Sequence, residues 1–267
     1  MEIDLKIYAM KQKNCLELCS VYTMFTKGGG IFMKIEIWSD YVCPFCYIGK
    51  KQLEKALRDT GLADQVELVY KSYQLDPTTP VETNISTYES LAKKYGMTIE
   101  KAKEMTQGVV SRAKEVGLNY NFDKLMEENT LKAHRLVKFA QQQGKDSALV
   151  EALLQGYFIE AKRISHDDVL MEIAEQVGLE REDVDDVLSS DDFTTEVEED
   201  IQEGLQLGVR GVPFFVVNRK YGISGAQPQE VFEDTLRKVA EEEGLQPGLQ
   251  MKGSSNAGVC TDESCEF

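Results

Sequence analysis

Two cysteines separated by two residues, Cys43-Pro44-Phe45-Cys46, have the type and spacing to do chemistry. A thiolate attacks a disulfide sulfur to form a mixed disulfide, and a second thiol one helical turn away can then displace the bound partner. Such a pair needs its first cysteine at a helix N-terminus, where unpaired backbone N–H groups and the positive end of the macrodipole favour thiolate over thiol. Cys43 is therefore the expected nucleophile and Cys46 the expected resolving thiol. Pro44 suits the first turn of a helix, and Pro44 and Phe45 together tune the pair without placing a cation between the sulfurs. The competing reading is half of a zinc site completed by Cys260 and Cys265. Proline and phenylalanine between the cysteines, in a strand-then-helix setting, favour redox chemistry, and no metal is expected.

The elements that must position this pair follow from periodicity. Lys34 to Trp38 alternates polar and apolar residues as a half-buried strand does, and leads through Ser39-Asp40 into the cysteine motif. A helix is predicted from Pro44 to about Leu57, with Cys46, Leu53, Ala56 and Leu57 on its buried face. Val66 to Tyr73 reads as a second strand, and Asp76-Pro77 and Pro80 stop regular structure. From about Thr87 to Ser189 the pattern is helical almost throughout. A further helix from about Thr194 to Leu207 ends at Gly208, Val212 to Val217 is an apolar strand, Lys220 to Ser224 can pair with it, and Gln229 to Glu243 closes as a helix. Pro213 opens a buried strand, a place where a cis Val212–Pro213 bond is tolerated at modest cost. With the helical block removed, the order β-α-β-α-β-β-α is that of a thioredoxin fold. The fold class is thus α/β, a thioredoxin fold with a large all-helical insertion between its two halves: 33–82 and 194–245 form the discontinuous thioredoxin domain and 83–193 the insertion.

The flanks read differently. Lys27-Gly28-Gly29-Gly30 fits a purine-rich coding stretch like a bacterial ribosome-binding site shortly before Met33, so 1–32 is expected to be a non-native or disordered leader carrying Cys15 and Cys19. The tail, 246–267, is rich in Gly, Ser and Asn and is expected to be flexible, with the pair Cys260 and Cys265 riding on it.

The chain has 267 residues and six cysteines, too few for a disulfide-stapled scaffold. Its formal charge of −16 argues against a nucleic-acid or anionic-membrane partner. No apolar run approaches the roughly 20 residues that span a bilayer, and the N-terminus is a poor signal peptide, so a cytoplasmic protein is expected. The acidic run from Glu180 to Glu203 reads as a solvated helix face. His166 with Asp167 and Asp168 reads as a helix start without further role.

Three segments in order, Trp38-Ser39-Asp40-Tyr41-Val42-Cys43-Pro44-Phe45-Cys46-Tyr47-Ile48-Gly49, Gly208 to Val217 and Tyr221 to Pro228, resemble the FrnE-like branch of the DsbA family from about Met33 to Val239. The resemblance implies a cis Pro213 facing the cysteine pair, a Val212 backbone that pairs with an extended substrate beside Cys43, and dithiol–disulfide exchange with no bound cofactor, glutathione or another small thiol serving at most as co-substrate. It implies disulfide-containing proteins or small disulfides as partners, and leaves the oligomeric state open. Cys260-Thr261-Asp262-Glu263-Ser264-Cys265 is similar to a C-x4-C tail of some FrnE-like proteins, either a second redox pair or two exposed thiols. His134, in Asn129 to Arg135, also resembles a family segment, and reads as a packing or groove-shaping residue in preference to a proton-transfer group. The same superfamily holds kappa-class glutathione transferases and 2-hydroxychromene-2-carboxylate isomerases, which typically carry serine at the first cysteine position. A glutathione-dependent transferase or isomerase, and a redox-regulated binding protein or chaperone, are the alternative readings.

Overall fold

A computed structural model describes residues 33–246 and 248, together with the backbone of 259–260 and 265–266. The expected leader, with Cys15 and Cys19, lies outside the described residues, as do the side chains of Cys260 and Cys265.

The chain enters through β1 (Met33–Ser39), turns at residues 40–42 and forms α1 (Pro44–Thr60). Pro44 starts this helix because its missing N–H costs nothing there, and Gly61 ends it by taking the left-handed conformation, φ 71°. β2 (Val66–Ser72) lies parallel to β1, with Met33 opposite Val66 and Ser39 opposite Ser72. Six helices follow: α2 (Thr87–Tyr95), α3 (Ile99–Glu115), α4 (Leu131–Gln142), α5 (Asp146–Phe158), α6 (Asp167–Gln176) and α7 (Arg181–Ser189). Ser86 and Glu89 close a capping box on α2, which fixes where the first of them begins. Then come α8 (Thr194–Gln206), β3 (Phe214–Val217), β4 (Tyr221–Ser224) and α9 (Gln229–Glu243). The sheet order is β2-β1-β3-β4, with β3 antiparallel to both β1 and β4. A final short ladder pairs β5 (Val259–Cys260) with β6 (Cys265–Glu266), placing the Cys260 backbone opposite that of Cys265.

β1 lies between β2 and β3, so both of its edges are paired, and both of its faces are packed as well. Ile35 and Ile37 point into the main core, which also holds Phe215 and Phe232, their rings 4.9 Å apart edge to face. Trp38 points the other way and packs with Val209 and Val216. The strand is thus buried everywhere except at Lys34, where half-burial was expected, and even Glu36 is only 1% exposed, its carboxylate met by Arg219. The β3–β4 loop spans the three residues between Val217 and its partner Tyr221; Asn218 and Arg219 take left-handed φ values of 47° and 55°, and the Lys220 N–H closes the turn on the Val217 carbonyl at 3.0 Å. The Asn218 side chain accepts the Lys34 N–H at 2.8 Å and ties the turn to the start of β1. β3 begins two residues later than the apolar run suggests, since Pro213 has no N–H to give a ladder.

The acidic run needs a correction. Most of it is exposed on α7 and α8, but Asp200 is 4% exposed and faces inward. Its carboxylate accepts the Ser72 N–H at 2.8 Å and Lys71 Nζ at 2.9 Å, and pairs with Lys138 on α4. Its backbone carbonyl accepts the Trp38 indole N–H at 2.8 Å. One buried carboxylate thereby joins β2, α4 and α8. Among the described residues no helix is long and apolar enough to cross a membrane.

Candidate active site

The turn out of β1 delivers Cys43 to the N-cap of α1, with extended backbone angles of φ −87° and ψ 111°. Its N–H donates to the Asp40 carbonyl at 3.2 Å, and its own carbonyl accepts the Cys46 N–H at 3.0 Å. Cys43 and Cys46 are both free thiols, 4% and 2% exposed. The Cys43 thiol donates toward the Val212 carbonyl at 3.4 Å, across a gap of 169 residues in sequence. The Val212–Pro213 peptide bond is cis. Gly49, one turn beyond Cys46 on α1, allows this approach: a Cβ there would sit 3.1 Å from both the Pro213 Cγ and the Phe215 Cζ. Pro44 and Phe45 are half-buried at the rim, and the Tyr120 hydroxyl, from the insertion, donates to the Pro44 carbonyl at 2.7 Å.

Cys46 lies behind Cys43. Burial pushes its thiol well above the ordinary range, and the neighbouring Cys43 adds to this through a hydrogen bond and its charge. The Ser39 hydroxyl and the Asp40 N–H, 3.5 Å from Sγ, pull the other way. At neutral pH Cys46 therefore holds its proton.

Asp40 organises this turn from beneath. It is 1% exposed, and its carboxylate accepts the Leu75 N–H at 2.8 Å and faces His134 Nε2 at 3.4 Å. The His134 ring packs on Tyr41 with centroids 4.6 Å apart. His134 is thus a buried support of the cysteine turn, not a wall of the groove. His166 is the N-cap residue of α6 without a capping hydrogen bond. Sequence reasoning missed Asp40, whose position after a strand reads as an ordinary turn former, and Tyr120, which carries no local signal.

In front of Cys43, between α1 and the insertion helices α2 and α3, lies a mostly apolar groove of about 670 Å³. Val42, Phe45, Leu91, Val109, Phe158 and Val212 are among its walls. A thiol pair at the start of the first helix, opposite a proline at the start of an inner strand, on a β2-β1-β3-β4 sheet, is the arrangement of a thioredoxin fold. The chain belongs to the DSBA-like thioredoxin domain family, a family of thiol–disulfide oxidoreductases, whose model matches residues 34–237.

Its similarities are consistent with that placement. A probable DsbA oxidoreductase from Streptomyces coelicolor is 36% identical and superposes with a TM-score of 0.74, over 88% of this chain and 99% of its own. YwbO of Bacillus subtilis (strain 168), an uncharacterised protein, is 25% identical over 205 residues, 76% of this chain and 94% of that protein. The cytosolic disulfide reductase DsbM from Pseudomonas aeruginosa, in a structure with GSH, shares the fold at 16% identity and a TM-score of 0.56, over 78% of this chain and 99% of its own.

Proposed function

We propose that this protein is a thiol–disulfide oxidoreductase or disulfide isomerase of the FrnE-like kind, working in the cytoplasm on protein or small disulfides. Cys43 attacks one sulfur of the substrate disulfide, forming a Cys43–substrate bond and releasing the other sulfur as a thiolate. Cys46, once deprotonated, attacks the Cys43 sulfur; the Cys43–Cys46 disulfide forms and the second substrate thiol leaves with the proton. Run backwards, the same steps oxidise a dithiol. The direction is set by the reduction potential against the surrounding thiol pool, where 30 mV corresponds to about 1.4 kcal/mol.

The observation that carries this reading is the pairing of roles at one helix start: Cys43 at the N-cap within 3.4 Å of the Val212 carbonyl, and Cys46 buried behind it with its thiol held protonated. Val212 and Pro213 form the opposite lip, where a substrate chain would lie alongside β3. No bound cofactor is needed; glutathione or another small thiol would regenerate the dithiol. Whether the tail cysteines, Cys260 and Cys265, then pass electrons to this pair is a separate step of the same proposal.

The test is equilibration of the Cys43–Cys46 pair in graded thiol redox buffers, with a disulfide-reduction assay on Cys43→Ser and Cys46→Ser. A reversible internal disulfide, activity abolished by Cys43→Ser, and a trapped mixed disulfide in Cys46→Ser are expected. Activity surviving in Cys43→Ser would remove the proposal and favour a glutathione-dependent transferase or isomerase, for which Cys46 is dispensable.

A further inference from the structure

The groove in front of Cys43 is charged against the trend of the whole chain. The protein carries a formal −16, yet no Asp or Glu lines this cavity, while Lys94 and Arg112 do. Lys94 is within electrostatic reach of Asp76, so it is partly answered. Arg112 is not. Its guanidinium lies 5.2 Å from the centroid of the Phe45 ring and donates to the Ala226 carbonyl at 2.7 Å, and it has no carboxylate partner among the described residues. Those two contacts hold a cation from α3 over Phe45, the second of the two residues between the cysteines, beside an apolar cavity. Cys43 itself is only 4% exposed, so its sulfur is reached through this groove and not from a flat face. A volume of about 670 Å³ is of the size that encloses a small organic molecule.

Building on the thiol–disulfide reading, the geometry points to a preferred substrate class: a low-molecular-weight disulfide with an apolar body and a carboxylate. The body fills the groove between Phe45, Val109 and Phe158, and the carboxylate meets Arg112. Arg112 is then a specificity residue, adding a charge-assisted contact to a cavity that otherwise selects only for apolar surface. The reaction is the exchange already described: Cys43 thiolate takes one sulfur, one aromatic or aliphatic thiolate leaves, Cys46 closes the protein disulfide, and the second thiol leaves. Two electrons pass from the protein dithiol to the substrate, so a pre-reduced protein needs no further reductant for one turnover.

The experiment compares two aromatic disulfides on the pre-reduced full chain, a dithiobis-nitrobenzoate bearing a carboxylate on each ring and a neutral dithiodipyridine, by the second-order rate of thiol release. The ratio of acidic to neutral rate constants cancels their intrinsic reactivities when variants are compared. Arg112→Gln should lower that ratio about tenfold, the loss of one hydrogen bond to a charged group at a partly open site. Arg112→Lys should keep most of it, and added salt should reduce it in the native protein but not in Arg112→Gln. A ratio that Arg112→Gln leaves within about twofold of the native value would overturn the inference while leaving the thiol chemistry standing. If Cys43 reacts with neither reagent, the thiol–disulfide reading falls and this one with it.

Discussion

Once Cys43 is tied up in a mixed disulfide, the fate of the complex depends on Cys46. The hydrogen bond and charge that Cys43 imposes on Cys46 then disappear, but burial, the largest influence keeping that thiol protonated, remains. Only the Ser39 hydroxyl and the Asp40 N–H favour the thiolate. Each unit by which the thiol is raised removes a factor of about ten in thiolate, while the more basic sulfur recovers about half an order of magnitude in nucleophilicity. The net slowing is about threefold per unit, and the rate of resolution should climb close to tenfold per pH unit from about pH 7 to about pH 9. Stopped-flow mixing of reduced protein with a chromogenic aromatic disulfide reports two released thiols, the first from attack by Cys43 and the second from Cys46. Cys46→Ser should release only the first. The second phase should rise with pH and show no plateau at the ordinary thiol value of about 8.5. A second phase independent of pH over this range would refute the argument that burial governs Cys46.

Gly49→Ala places a methyl 3.1 Å from Pro213 and Phe215, and should cost about 1–3 kcal/mol and slow Cys43 attack by shifting the opposite lip; the urea midpoint and the second-order rate constant check both. Asp200→Ala leaves Lys138 buried without its carboxylate, and should destabilise the protein by about 3–5 kcal/mol, with partial recovery in Asp200→Ala/Lys138→Met, read from denaturation midpoints. A loss below about 1 kcal/mol would mean that the buried charges are not coupled.

Much of this architecture was legible because local rules and the global fold agree. Pro44 marks the start of α1, the apolar spacing of Leu53, Ala56 and Leu57 gives its buried face, and the last helix has the bounds its periodicity predicts, whereas α1 runs three residues past the expected Leu57 to its cap at Gly61. The spacing of Cys43 and Cys46 needed only a preceding strand to be read as chemistry. Other features were invisible because they are made by partners distant in sequence. Asp200 sits in an acidic run whose neighbours are solvated, and nothing local reveals that Lys71, 129 residues earlier, turns it inward. Asp40 looks like a turn residue until His134 and Leu75 arrive from elsewhere in the fold. Arg112 is one cation among many on a helix until Phe45 and Ala226 identify its place. Such contacts depend on tertiary placement, which periodicity does not encode.

The strand order also bears on how the protein is made. β1 is flanked by β2, which follows it closely, and by β3, which pairs Trp38 with Phe214. On the ribosome, the first half of the sheet therefore emerges with one edge of β1 open, and at roughly 5–20 residues per second about 10 to 30 s pass before β3 arrives to close it. Through that interval the helices of the insertion have their local partners, whereas the strand leading to the cysteines has an unpaired hydrogen-bonding edge, the kind of surface at which nascent chains associate. The insertion that later walls the substrate groove is, during synthesis, the delay that keeps this edge waiting.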